Sequence, residues 1–173
     1  MRSGRRLIVY LLLLVVQVLL WNYLNLSQYV LLCFLPAMIL CLPVRLGTVP
    51  SLCIAFAIGL VVDFFAQGVL GLSSFALVPV ALARRPIISL IYGSELFSRG
   101  EDPSVRRQGV FKMSLLLLLG TALFLLLYIW MDGAGTRPLW FNLLRFACSL
   151  LLSTALSVFV ADQITREEDE RWR

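Results

Sequence analysis

The chain has 173 residues, of which 60% are hydrophobic and 14% charged, with a formal charge of +5 and no histidine, and its mean hydropathy is +0.90. This composition excludes an ordinary soluble domain and predicts an all-α integral membrane protein, a single polytopic domain over residues 1–173. Nucleic acid is excluded as a partner because the arginines flank apolar runs instead of lining one polar face.

About six transmembrane helices are predicted in chain order, at 7–24, 29–42, 51–66, 70–83, 110–131 and 139–161, judged by the roughly 20 apolar residues needed to cross a bilayer core. The first follows Arg2, Arg5 and Arg6 like a signal peptide. No small-residue cleavage site comes after it, so it reads as a retained anchor. The second, third and fourth are short, and 51–83 reads either as two full crossings or as a re-entrant hairpin. The fifth, leucine-rich with one small patch at Gly120, Thr121 and Ala122, reads as a lipid-facing wall, with Tyr128, Trp130 and Trp140 in an outer aromatic belt. Cys33, Cys41, Cys53 and Cys148 lack metal-ligand spacing and read as small packing residues.

Basic residues predict the orientation. With the N-terminus in the cytoplasm, thirteen of the 15 cations fall on that side, the outer loops hold Arg137, and Arg145 lies inside the last span. Both termini are thus expected to be cytoplasmic, with a cytoplasmic loop at 84–109 and a cytoplasmic tail at 162–173. Arg84, Arg85, Arg106 and Arg107 in that loop form a basic surface suited to anionic lipids, with a filament contact as the sharper alternative.

The segment "SLCIAFAIGLVVDFFAQGVLGLSSFAL" carries the one acid well inside a span, Asp63. Ser51, Ala55, Gly59, Asp63 and Gln67 recur every four residues on one helix face, and Arg145, Ser149, Ser153, Ser157 and Ala161 repeat the pattern in the last span. Small residues in such stripes let membrane helices approach closely. The two stripes are expected to pack antiparallel, with Asp63 paired to Arg145 near the outer leaflet, since pairing spares two isolated charges in lipid. The alternatives are that Arg145 snorkels to the interface and that Asp63 hydrogen-bonds the turn "AQGVLG", where Gly68 and Gly71 supply a hairpin reversal.

The run Gly59-Leu60, Asp63, Leu70-Gly71, followed by "ARRP", resembles the rod shape-determining protein MreD family of bacteria. The resemblance implies a non-enzymatic scaffold in the cytoplasmic (inner) membrane, within the cell-elongation and peptidoglycan-synthesis complex. The partners it implies are an MreC-like single-span protein, RodA with its transpeptidase, and MreB filaments. It also implies a fold similar to the substrate-binding subunits of energy-coupling vitamin transporters, which makes such a transporter subunit the alternative function. Against that alternative, the first span lacks the alanines of a coupling face. An intramembrane enzyme is disfavoured because there is no histidine for a serine–histidine pair or a metal site, and no acid cluster for divalent ions. No cofactor is expected.

Overall fold

The computed structural model describes residues 2–23, 30–44, 46–67, 70–93, 109–133 and 138–169. Its helices are α1 (Arg2–Tyr23), α2 (Leu35–Leu40), α3 (Thr48–Val62), α4 (Leu72–Tyr92), α5 (Val110–Gly133) and α6 (Leu139–Asp169), and one π-helical turn, Asp63–Gln67, continues α3. There is no strand among the described residues. Four helices are long and apolar enough to cross a membrane, over Thr48–Ala66, Leu72–Tyr92, Val110–Gly133 and Leu139–Ile164, as expected of a multi-pass membrane protein. The shorter apolar stretch Ile8–Tyr23 belongs to α1.

Helices dominate because a chain in hydrocarbon must satisfy its backbone internally. Residues 30–42 depart from that rule and correct the expectation of a continuous second transmembrane helix over 29–42. Residues 30–34 are not helical, and the helix that follows them, α2, is only six residues long. Pro36 is tolerated in the first turn of α2, where no helical donor is needed, and Pro43 lies just beyond its Cys41 C-cap. All six residues of α2 are buried. Around them pack α4, α5, α6, α1 and α3, so the centre of the bundle is a broken element enclosed by helices.

Two further boundaries differ from the sequence expectation. Helix α4 continues past Ala83 to Tyr92, so the loop begins later than residue 84. Its buried positions, Leu77, Val80, Ala81, Arg84 and Ile88, form one face at three- and four-residue spacing. Helix α5 is a packing helix rather than a lipid-facing wall: Met113, Leu116, Leu117, Phe124, Leu125 and Tyr128 are buried on the core side. Tyr128 stacks on Phe124 at 5.6 Å and meets Trp21 at 5.8 Å, so it leaves the aromatic belt, whereas Trp130 and Trp140 remain exposed.

The α3–α4 pair is drawn together by small residues. A Cβ placed on Gly59 would lie 2.5 Å from the Cα of Ser74, so only glycine permits this approach. Ser74 then donates its hydroxyl to the carbonyl of Phe56 at 3.2 Å. Both helices are long enough to cross, which favours two crossings over a re-entrant hairpin for 51–83.

Candidate functional site

Residues 30–34 lie ahead of α2, whose backbone takes up only the Phe34 carbonyl, and two other helices supply partners for further backbone groups of this segment from their side chains. On one edge, α1 presents Gln17 and Trp21. The Gln17 amide donates to the carbonyl of Leu32 at 3.2 Å and accepts from the N–H of Phe34 at 3.0 Å. The Trp21 indole donates to the same Leu32 carbonyl at 2.6 Å. On the other edge, α6 presents two serines. The N–H of Leu31 donates to Ser149 at 2.9 Å, and that of Cys33 donates to Ser153 at 3.0 Å. Ser153 in turn donates to the carbonyl of Leu31 at 2.9 Å.

The alternation follows from extended-chain geometry, in which successive residues direct their polar groups to opposite edges. Residues 31 and 33 face α6 while residues 32 and 34 face α1. Side chains therefore do the work of neighbouring strands, and the unsatisfied-backbone penalty of several kcal/mol per group in hydrocarbon is avoided. The contacts also set direction: the segment runs antiparallel to α1 and parallel to α6.

Its far end is closed by Arg84 of α4, which is buried. The guanidinium donates through Nε to the carbonyl of Leu40 at 3.4 Å and through Nη2 to that of Leu42. These carbonyls end a helix and have no helical acceptor role left, and a cation there also suits the negative end of the peptide dipoles. Arg84 thus leaves the expected basic surface, because its position on the buried face of α4 carries it inward. Arg85, one residue on, is exposed. Arg106 and Arg107 lie outside the described residues.

Asp63 is fully buried and does not pair with Arg145. Its carboxylate accepts the N–H groups of Gly71 at 2.9 Å, Ser73 at 3.0 Å and Ser74 at 3.4 Å. Gly71 is the N-cap of α4, with φ of +98° and no side chain to offer. Asp63 therefore serves from the preceding helix as the capping side chain of α4, and its negative charge faces the positive end of that helix. The π turn starting at Asp63 belongs to the same junction. Gly71 fills the expected role at the reversal; Gly68 and the Gln67 side chain lie outside the described set.

Arg145 pairs instead with Asp132, near the end of α5, at 2.6 Å. The pairing follows from the antiparallel α5–α6 hairpin, which brings these residues level across a short connection. The antiparallel packing of the two small-residue stripes is also corrected. Ser51, Ala55 and Gly59 are buried on α3, whose close approach is to α4, while Ser149 and Ser153 address the broken segment. Ser157 is buried on the same edge of α6, and its hydroxyl has no hydrogen-bond partner.

Of the residues that organise this interior, Gln17, Trp21 and Asp132 were not singled out from the sequence. An amide in the middle of the first apolar span is a usable signal for Gln17, since such a group demands a partner. The four cysteines form no disulfide among the described residues, with Cys33 and Cys41 buried and Cys53 exposed. Among the described residues no three metal-ligating side chains come together. No family model matches the chain, and neither the curated proteins nor the solved structures contain a significant match to it.

Proposed function

We propose that the protein is a membrane scaffold subunit without turnover of its own, acting in the bacterial cell-elongation complex as its resemblance to the MreD family implies. The observation that carries this reading is the use made of the interior polar groups. Gln17, Trp21, Ser149, Ser153, Arg84 and Asp63 all bond backbone groups of their own chain. They hold the bundle together from within, and the outer apolar surfaces, such as Leu11, Leu12, Val15 and Leu19 of α1, are left for lateral contact with lipid or with membrane anchors of partners. An MreC-like single-span protein is the first partner proposed, with RodA and its transpeptidase beside it and MreB filaments at the cytoplasmic face.

Six crossings with both termini in the cytoplasm fit this reading. The five non-helical residues 30–34, at no more than about 3.3 Å each, and the six of α2 reach at most about 26 Å, against the roughly 30 Å of a bilayer core, so the broken segment is read as the second crossing. Its direction, opposite to α1 and the same as α6, suits that path. A location in the inner membrane comes with the family reading.

The broken segment also favours a second reading, a substrate-binding transporter subunit, because interrupted helices are where many transporters hold their cargo. One experiment separates the two. The tagged protein is purified from native membranes in mild detergent and its partners are identified by mass spectrometry. An MreC-like protein with cell-wall synthases is the expected result; an ATP-driven transport module would overturn the scaffold in favour of the transporter subunit.

A further inference from the structure

The serines of α6 and the backbone they serve have matching repeats. Four residues on a helix advance about 6 Å, and two residues of extended chain advance about 6.6 Å. Ser149 therefore meets Leu31 while Ser153 meets Cys33, one rung apiece. Ser157 is the third rung at the same spacing, fully buried, with its hydroxyl unpartnered. A buried hydroxyl left without a partner is destabilising and calls for an explanation.

We propose that the serine edge of α6 is a two-register ladder, and that α6 steps by one helical turn along residues 30–34. In the second register α6 moves about 6 Å toward its Leu139 end. Ser153 then takes the place of Ser149 at the Leu31 N–H, and Ser157 takes the place of Ser153 between the Leu31 carbonyl and the Cys33 N–H. Both hydrogen-bonded rungs are remade and the orphaned hydroxyl becomes one of them.

The step is one-directional. A move the other way would bring Arg145 against the Leu31 N–H, setting a cationic donor against a donor in the core. The forward move instead carries Arg145 outward from a site where its side chain is 12% exposed and its Nε has no partner. It also brings Ser149 level with Asp132, the residue that Arg145 leaves.

The rest of the bundle permits the motion. Among the described elements α6 packs on α5 and α2, whereas the opposite edge of the segment is held separately by Gln17 and Trp21. Discrete one-turn steps of a packed helix, rather than gradual sliding, are what interdigitated surfaces allow. Anything that binds the exposed end of α6 in one register would shift the balance between the two. This inference does not depend on the proposed cellular role.

The test is a distance measurement between spin labels on the full chain in lipid nanodiscs. Phe111→Cys and Leu143→Cys place labels on exposed positions of α5 and α6, with Cys53 and Cys148 replaced by serine; Cys33 and Cys41 are buried and stay. Because Asp132 is level with Arg145, Phe111 is level with residue 166, and Leu143 lies about 34 Å away along the axis. The step lengthens this separation by about 6 Å.

Two distance populations separated by about 5–6 Å are expected, in keeping with one turn of helix. Arg145→Gln should enrich the longer one, and Ser157→Ala should deplete it by about fivefold, the loss of one modest hydrogen bond. A single population in the chain with native Arg145 and Ser157 overturns the proposal, and so does a longer population that Ser157→Ala leaves unchanged.

Discussion

At the scale of single residues, Asp63, Arg84, Gln17, Trp21, Ser149 and Ser153 are each explained by the backbone groups they reach. Asp63 illustrates the point. Four-residue spacing and the rule that charges in lipid find partners suggested an ion pair, but the nearer partners were the N–H groups of the following helix, within eleven residues of chain. Gly71 has no side chain with which to cap α4, so a carboxylate next door takes its place. Replacing Asp63 by Asn keeps one carbonyl acceptor but loses the charge and sets an amide donor among donors. A loss of about 1.5–3 kcal/mol is expected, read as a lower unfolding midpoint in detergent. Since Arg145 answers to Asp132, the effects of Asp63→Asn and Arg145→Gln on that midpoint should add within about 0.5 kcal/mol. Strong coupling between the two would restore the ion-pair reading. Gly59→Leu is expected to separate α3 from α4 and to cost about 1–3 kcal/mol or more, since the side chain would meet backbone and not a yielding rotamer.

The element that most repays attention is the segment 30–42. As an apolar run of helix-compatible composition it was indistinguishable, by periodicity, from a short transmembrane helix. Pro36 and Pro43 bracket its brief helix, but what holds the residues before that helix open lies elsewhere in the chain: Gln17 and Trp21 before it, and Ser149 and Ser153 more than a hundred residues later, with Arg84 of α4 closing its far end. Local sequence contains no trace of such long-range satisfaction, which is why this element was illegible while the long uniform runs of α3, α5 and α6 were not. The serine stripe was legible as a stripe; its use as a hydrogen-bonding edge was not, because small residues suit close packing and backbone capture alike. Ser153→Ala is expected to cost more than Ser149→Ala, since Ser153 serves two backbone groups and Ser149 one. The difference should be about 1 kcal/mol by equilibrium unfolding in mixed micelles. Arg84→Lys should destabilise although it keeps the charge: an ammonium lacks the planar fork that reaches two carbonyls at once, and about 1.5–3 kcal/mol is expected from the charged hydrogen bonds lost.

For the molecule as a whole, buried polar chemistry gathers at the broken segment and at the α3–α4 junction around Asp63, while long apolar helices enclose both. The sequence readily supports the helical class and the positions of the four long apolar helices, because these rest on composition and run length. The arrangement of the helices is another matter. Which face of α4 turns inward could be read from Leu77, Val80, Ala81 and Ile88, and that face includes Arg84. Its basic neighbour Arg85 drew the pair toward the surface in the sequence reading, although one residue rotates a helical position by about 100°.

The serines that seal residues 31 and 33 are supplied by the last helix, some 118 to 122 positions downstream. During synthesis at about 5–20 residues per second, the early segment therefore waits on the order of 6–24 s with one edge of its backbone exposed. Until α6 arrives the nascent bundle is unfinished at its centre, so quality-control proteases in the membrane have a defined interval in which to sort the chain. A chain ending at residue 138 should insert and then be degraded rapidly, and supplying α6 as a separate polypeptide should prolong its half-life in a pulse-chase experiment. Helix α6 thus closes the backbone edge of an element made more than a hundred residues earlier.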